Sequence, residues 1–142
     1  MRIIRLLIVA CEAVAGLAAS AVPASAGSAH FVGDPSYTVS PSGTITVAAK
    51  EAGLGNLPQI DVQLSGVAAC VNPGGNGPEA QNKQAFSVSS EEPVQNGQST
   101  YVISVTPVFR PSCSPPMTVA VSSLTLADLT NGIAATPVPA SP

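Results

Sequence analysis

The chain lacks several residue types that common functions require. It contains no tryptophan and one histidine in 142 residues, and charged residues make up only 9% of it. Lysine and arginine number 5 against 8 aspartate and glutamate residues, for a formal net charge of −3. Proteins bind nucleic acids and anionic membrane surfaces through clustered lysine and arginine, and this sequence has no such cluster. We therefore expect neither kind of partner.

The first 26 residues have the three parts of a secretory signal peptide. Arg2 and Arg5 precede an apolar run from Leu6 to about Ala21, and Ala24-Ser25-Ala26 forms an A-x-A cleavage site. The apolar run is too short for a transmembrane anchor. Residues 1–26 are thus predicted to be removed, which leaves a secreted domain over residues 27–142. An alternative is lipidation at Cys11, because residues 8–11 resemble a lipobox.

Two cysteines, Cys70 and Cys113, follow the predicted cleavage site. In an exported chain such a pair most simply forms one disulfide. A metal site would need more ligands than two distant cysteines, and a catalytic thiol would need a histidine partner. The disulfide is expected to join the end of the third predicted strand to the loop before the sixth.

Short β-branched segments recur along the chain between Gly, Pro and Asn residues, which predicts strands and no helices. In QIDVQLSGV, residues 59–67, apolar side chains alternate with polar ones, as in a half-buried strand. Similar alternation occurs in TITVAA, AFSVS and YVISV. In MTVAVSSLTL the apolar parity changes across Ser122-Ser123, which predicts a β-bulge or a bend. About seven strands without helices predict a single antiparallel β-sandwich of immunoglobulin-like type.

Turn signals lie between these segments. Asn96-Gly97 and Asn131-Gly132 are dipeptides favoured where a tight hairpin needs positive φ at two successive residues. If Asn131-Gly132 is a two-residue turn, Thr130 pairs with Ile133 and Asp128 with Ala135. The proline-rich segment from about residue 137 is predicted to be a C-terminal tail.

Three motifs are spread along the predicted domain: HFV at residues 30–32, AGLGN at residues 52–56, and a C-x-N-x-G-G-N-x-P pattern that begins at Cys70. Together they resemble a group of small secreted actinobacterial proteins of unknown function, which also carry a second cysteine before their last strands. The resemblance covers most of the domain and implies export, but no activity. The sequence departs from the group after Cys113, where RPSCSPPMT lacks an aromatic residue.

The segment from Cys70 to Lys83 is the densest run of amide and turn-forming residues, and it is our candidate binding loop. Four of its side chains offer oxygen ligands, those of Asn72, Asn76, Glu79 and Asn82. Calcium prefers several carboxylates, and this run has one, so we predict no metal site. An anion nest on the glycines is disfavoured by Glu79. The simplest reading is an ordered turn whose asparagine side chains bond to loop backbone.

Catalytic signatures are weak. His30 would have to serve any histidine-dependent mechanism, and it lies close to the predicted new N-terminus, where segments are often loosely held. No Gly-x-Ser-x-Gly elbow is present. Paired carboxylates of a glycoside hydrolase stay open, since folding could bring two acids together. Glu91 and Glu92 are adjacent, beside Pro93 in an apparent exposed turn.

Carbohydrate-binding modules usually stack sugars on exposed aromatic rings, and here Phe31 and Phe109 are the aromatics we expect to be exposed. A protease-inhibitor loop at Arg110 is disfavoured by Pro111. We therefore expect a secreted, monomeric, non-enzymatic protein without a cofactor that binds an unknown extracellular or cell-wall partner. A carbohydrate- or calcium-binding module is one alternative, and a secreted hydrolase or protease inhibitor is the other.

Overall fold

The computed structural model describes residues 28–73 and 82–142. The predicted signal peptide, its Cys11, and two members of the candidate loop, Asn76 and Glu79, lie outside the described residues.

The described residues form nine β-strands and no α-helix. The strands are β1 (His30–Phe31), β2 (Ser36–Val39), β3 (Ile45–Ala52), β4 (Gln59–Val71), β5 (Lys83–Pro93), β6 (Ser99–Val105), β7 (Thr118–Asp128), β8 (Ile133–Ala135) and β9 (Val138–Pro139). None of these described segments supplies a helix with the length and apolarity to span a bilayer.

The strands build two sheets that pack as a sandwich. In the first sheet β3 is central: β6 pairs with one edge of it, β1 and β2 pair with it antiparallel, and β9 pairs with β2 in parallel. The second sheet has the order β5-β4-β7-β8 and is antiparallel throughout. The predicted all-β sandwich is confirmed. The expected strand number was too low because β1, β8 and β9 have two or three residues each, too few to show alternation.

Alternation along the long strands places the core between the sheets. On β4, Ile60, Val62 and Leu64 are 0% exposed, while Asp61 lies on the outer face and is exposed. The other strands contribute in the same way, so the main core contains Val47, Ala49, Leu54, Tyr101, Ile103, Leu124 and Leu126 beside these three residues. Successive side chains of a strand point to opposite faces of the sheet, so apolar residues at every second position lie on one face. The alternation in the sequence therefore predicts this core.

The predicted β-bulge is confirmed at Ser122-Ser123. The register between β4 and β7 shifts between Ser65 and Val67, and Ser123 has a positive φ of 57°. The extra residue lets Leu124 face inward although Val121 already does so. Gly66 lies opposite this bulge, where an added Cβ would approach Phe86 Cζ to 2.9 Å and Leu124 Cα to 3.3 Å.

Gly66→Ala should lower the free energy of unfolding by about 1–3 kcal/mol, because the new methyl group has no free space beside the bulge. Ser87→Ala, on the exposed face of β5, is the matched control and should change little. Urea denaturation followed by circular dichroism measures both variants. Equal stability of Gly66→Ala and wild type would contradict the close packing at the bulge.

The two Asn-Gly dipeptides behave differently. Asn96 and Gly97 have φ of 52° and 73° inside a tight turn closed by Gln95 and Gln98, as predicted. At Asn131-Gly132 the prediction was wrong, because Asp128 pairs with Ile133 and the connection has four residues. The N–H groups of Thr130 and Asn131 donate to the Asp128 carboxylate, and Gly132 N–H donates to the Asp128 carbonyl oxygen. These local bonds close the wider loop.

The predicted disulfide between Cys70 and Cys113 is present and joins the end of β4 to the segment before β7. Phe109 was expected to be exposed, and this was wrong: it is 8% exposed and packs in a second core cluster with Ile45, Ala68 and Cys70. The disulfide holds the β6–β7 segment over the core. The alternation of apolar residues within strands does not predict this position, because the segment is not a strand.

The two ends of the sandwich differ in what they carry. We call the end with Cys70–Cys113, the end of β4 and the β2–β3 and β6–β7 connections the disulfide pole. The opposite end, with the β3–β4, β5–β6 and β7–β8 connections, is the acid pole. Within the proline-rich C-terminal segment, Val138 and Pro139 form β9, with Val138 N donating to Pro35 O and Ala140 N to Tyr37 O. The donors of this pairing are residues 138 and 140. Pro139 therefore breaks no hydrogen bond between the strands, although it has no N–H group.

Candidate functional site

The candidate loop residues that the structure describes lie at the disulfide pole. Asn72 is exposed just after β4, and Asn82 is half-buried just before β5. Neither side chain has a hydrogen bond among the described residues that would indicate a preorganised ligand site. A shallow cleft of about 240 Å³ lies nearby, lined by Ser42, Gly43, Pro107, Val108, Phe109, Ser112, Cys113 and Val119.

Other sequence candidates are separated from one another. His30 lies on β1, is exposed, and its Nδ1 is 2.8 Å from the Ser28 carbonyl oxygen. Glu91 and Glu92 were expected in an exposed turn, and this was wrong: both lie in β5, opposite Asp61 and Ile60 of β4. Pairing with β4 continues as far as Pro93, so these residues belong to a strand and not to a turn. Proline is tolerated at this position because the last residue of a strand need not donate a hydrogen bond from its N–H group.

A buried acid pair, Glu51 and Asp128, lies at the acid pole. Glu51 is on the inward face of β3 and Asp128 is the last residue of β7, and both are 0% exposed. Tyr101, on the inward face of β6, is 4% exposed and donates a hydrogen bond from its hydroxyl to Glu51 Oε1. Because β3 and β6 belong to one sheet and β7 to the other, this cluster joins the sheets across the core.

Asp128 accepts three hydrogen bonds from the loop that follows it. The backbone N–H groups of Thr130 and Asn131 donate to Oδ1 at 2.8 and 3.1 Å, and the Asn131 side-chain amide donates to Oδ2 at 2.5 Å. Both oxygens therefore act as acceptors, as those of a carboxylate do. Through these bonds the buried Asp128 side chain shapes the β7–β8 loop.

Burial raises the pKa of Glu51 from 4.5 to about 7. The hydrogen bond from Tyr101 opposes this rise, while the neighbouring carboxyl of Asp128 adds to it. Burial and the hydrogen bond to Glu51 also raise the pKa of Tyr101, so its hydroxyl stays protonated. Buried Glu51 Oε2 has no hydrogen-bond partner among the described residues. A proton on Glu51 would give this carboxyl a donor of its own beside the Asp128 carboxyl.

The sequence-based candidates did not include this pair, although the pattern contains a signal for it. Glu51 has the same parity in β3 as Ile45 and Val47, and Asp128 the same parity in β7 as Leu126. An acid at an inward position of an alternating strand indicates a buried carboxyl, which is rare without a partner. The alternation within each strand does not predict that the two acids come together, because this depends on how the two sheets pack.

Two adjoining clefts open at the acid pole, and Asn96 lines both of them. The larger, of about 500 Å³, is lined by Gly55, Asn56, Leu57, Val94, Asn96 and Gly97. The second, of about 450 Å³, is lined by Pro93, Gln95, Asn96, Gln98 and Thr100. We call them the amide clefts, because four side-chain amides supply most of their functional groups. No charged or aromatic side chain is among these lining residues.

The loops that form the amide clefts are fixed to the strands that carry the acid pair. Leu54 N donates to Gly97 O at 3.0 Å, which ties the β3–β4 loop to the β5–β6 turn. Ser99, which pairs with Glu51 in the sheet, donates from Oγ to Pro93 O at 2.9 Å. The clefts and Glu51 therefore share their supporting backbone.

Within residues 28–73 and 82–142, no group of three or more His, Cys, Asp or Glu could hold a metal ion. Comparisons of the chain with protein-family models, curated proteins and solved structures find no match.

Proposed function

We propose that this chain is an exported, non-enzymatic binding protein that uses the amide clefts to hold an uncharged, hydroxyl-rich polymer of the extracellular surface. The observation that carries the proposal is the lining of the clefts. Four of the lining residues have carboxamide side chains: Asn56 in the β3–β4 loop, and Gln95, Asn96 and Gln98 in the β5–β6 turn. Asn96 lines both clefts.

Each carboxamide both donates and accepts hydrogen bonds, so it complements a hydroxyl or an amide without requiring charge. With no charged or aromatic group among the lining residues, the clefts offer little to an ionic ligand or to a stacked ring. A neutral glycan fits this chemistry better than an acidic or basic polymer does. Binding would rest on several weak hydrogen bonds made at once.

Export is supported by the signal-like N-terminus together with the Cys70–Cys113 disulfide, since such bonds persist in oxidising compartments. The two-sheet architecture also fits a binding role, because sandwich domains of the immunoglobulin-like type bind through loops clustered at one end. We propose that the acid pole is that end, which moves the candidate site away from the Cys70–Lys83 loop.

A hydrolase that uses paired carboxylates is less well supported than binding. The acid pair is 0% exposed, and the Asp128 oxygens are engaged by loop donors. General acid-base catalysis requires that a substrate reach the carboxyls within hydrogen-bond distance. Glu51 and Asp128 are better described as groups of the fold than as groups that touch a substrate.

Asn96→Gly should weaken retention on immobilised neutral glycans by about two- to tenfold, the effect of losing one neutral hydrogen-bonding group. Glycine keeps the positive φ of this position, so the turn is preserved while the amide is removed. The measurement is binding of the folded, oxidised protein to an array of neutral and charged glycans.

Asn72→Ala is the matched control, because Asn72 is an equally exposed asparagine at the opposite pole. Its retention should equal that of the wild type. No binding to any neutral glycan, or an equal loss in both variants, would count against the amide clefts as the binding site.

A further inference from the structure

We propose that the acid pair is a proton-dependent clamp: Glu51 holds a proton that it shares with Asp128 across the two sheets, and loss of this proton loosens the acid pole and weakens ligand binding. The inference concerns regulation of the amide clefts, so its second half rests on the proposed function. The first half, the clamp itself, concerns the fold and can be tested without a ligand.

The hydrogen bonding of the buried Glu51 carboxyl is complete only when the carboxyl carries a proton. Its Oε1 accepts from Tyr101, whereas its buried Oε2 has no partner among the described residues. The neighbouring carboxyl of Asp128 offers acceptors and no donor, and it already receives three N–H groups. With Glu51 ionised, two negative charges would face each other in the core, where such repulsion is weakly screened.

Among residues 28–73 and 82–142, the charged and titratable groups around Glu51 include no cation that contacts it. Tyr101 faces it from β6 and Asp128 from β7, while Glu92 on β5 acts on Tyr101 by its negative charge. The neighbouring Lys50 is exposed on the opposite face of β3, and His30 of β1, paired with Ala52, is also exposed. A proton is therefore the group that can neutralise this cluster.

The clamp is connected to the clefts through short stretches of backbone. Glu51 lies three residues before Leu54, whose N–H holds the β5–β6 turn at Gly97 O. On the other sheet, Asp128 orders the β7–β8 loop through Thr130 and Asn131. Repulsion within the acid pair would separate β3 from β7 at the end where both loops are anchored.

The test compares wild type with Glu51→Gln, because glutamine retains an acceptor for Tyr101 and a permanent donor for Asp128. Amide hydrogen exchange at Leu54 and Thr130, corrected for intrinsic rates, is measured at pH 5.5 and pH 8.5, together with affinity for a neutral glycan. In wild type we expect protection at both amides to fall about tenfold or more at the higher pH, and affinity to fall with it. In Glu51→Gln both quantities should stay constant.

Glu91→Gln, which alters an exposed acid on β5, should behave like wild type. Equal changes in wild type and Glu51→Gln, or constant protection in wild type, would overturn the clamp. If protection changes as expected but no glycan binds at either pH, the clamp stands and the proposed function fails. If a glycan binds with the same affinity at both pH values while protection falls, the regulatory half of the inference is overturned.

Discussion

Replacing Glu51 with glutamine is expected to make the protein more stable than wild type above pH 7, by about 3 kcal/mol, and equally stable near pH 4.5. Most substitutions of fully buried residues destabilise a protein. Glu51→Gln should do the opposite at alkaline pH because it permanently supplies the donor that Glu51 provides only when protonated.

The direction follows from proton binding. Burial and Asp128 raise the pKa of Glu51 to about 7 in the folded protein, while 4.5 is its ordinary value. Between these values the folded protein holds a proton that the unfolded chain has released, so the free energy of unfolding falls as pH rises. Below about 4.5 the stabilisation is fully present, and above about 7 it is lost. Glutamine does not titrate, so this contribution disappears in the variant.

Chemical denaturation of wild type and Glu51→Gln at steps between pH 4.5 and pH 8.5 measures the difference directly. Subtracting the free energy of unfolding of one protein from that of the other at each pH removes the contributions of the other titrating groups. Parallel curves for the two proteins would show that Glu51 titrates at its ordinary pH. Glu91→Gln, which alters an exposed acid on β5, is the matched control substitution.

Removing the disulfide by Cys70→Ala with Cys113→Ala should lower the free energy of unfolding by about 4 kcal/mol on the chain-entropy model. The estimate follows from the sequence separation of 43 residues that the bond closes. This is a large share of the stability of a typical small domain. Cys70 also packs beside Ile45, Ala68 and Phe109, so the loss should expose part of the second core cluster.

Wild type in the presence of a reductant is the control for this prediction, because it loses the same bond without a change of sequence. Both samples should show a lower thermal midpoint than the oxidised wild type, together with greater susceptibility to proteases in the β6–β7 segment. An unchanged midpoint after complete reduction would contradict a stabilising role for the bond.

Parts of the fold that depend on local periodicity could be predicted from the sequence. The alternating side chains of β4 and the parity change at Ser122-Ser123 describe single strands, and both predictions are confirmed. The turn at Asn96-Gly97 is likewise local, since the two residues adopt the positive φ that this dipeptide favours. The disulfide could be predicted without any geometry, because Cys70 and Cys113 are the two cysteines beyond residue 26 and allow one pairing.

Features that depend on tertiary contacts could not be predicted in this way. Asn131-Gly132 carries the same dipeptide, yet the carboxylate of Asp128 closes a longer loop. Phe109 reads as a loop residue, and its burial results from a segment that the disulfide holds against the core. The meeting of Glu51 with Asp128 depends on how two strands far apart in sequence align across the sandwich.

The candidate site shows the same division. Amide density identified the Cys70–Lys83 loop, whose described members Asn72 and Asn82 lie at the disulfide pole. The amide clefts join Asn56 of the β3–β4 loop to Gln95, Asn96 and Gln98 of the β5–β6 turn, and none of these four residues was among the sequence-based candidates. A composition scan finds residues that are adjacent in sequence, whereas a cleft collects residues that are adjacent in space.

The most direct test of the account is a titration of the ¹⁵N-labelled, oxidised protein with a neutral glycan that it retains, followed by NMR of the side-chain amides. Binding at the acid pole predicts shifts for Asn56, Asn96 and Gln98, with no change at Asn72. Shifts confined to Asn72 and Asn82 would place the site in the loop after Cys70. That result would contradict the assignment of binding to the amide clefts.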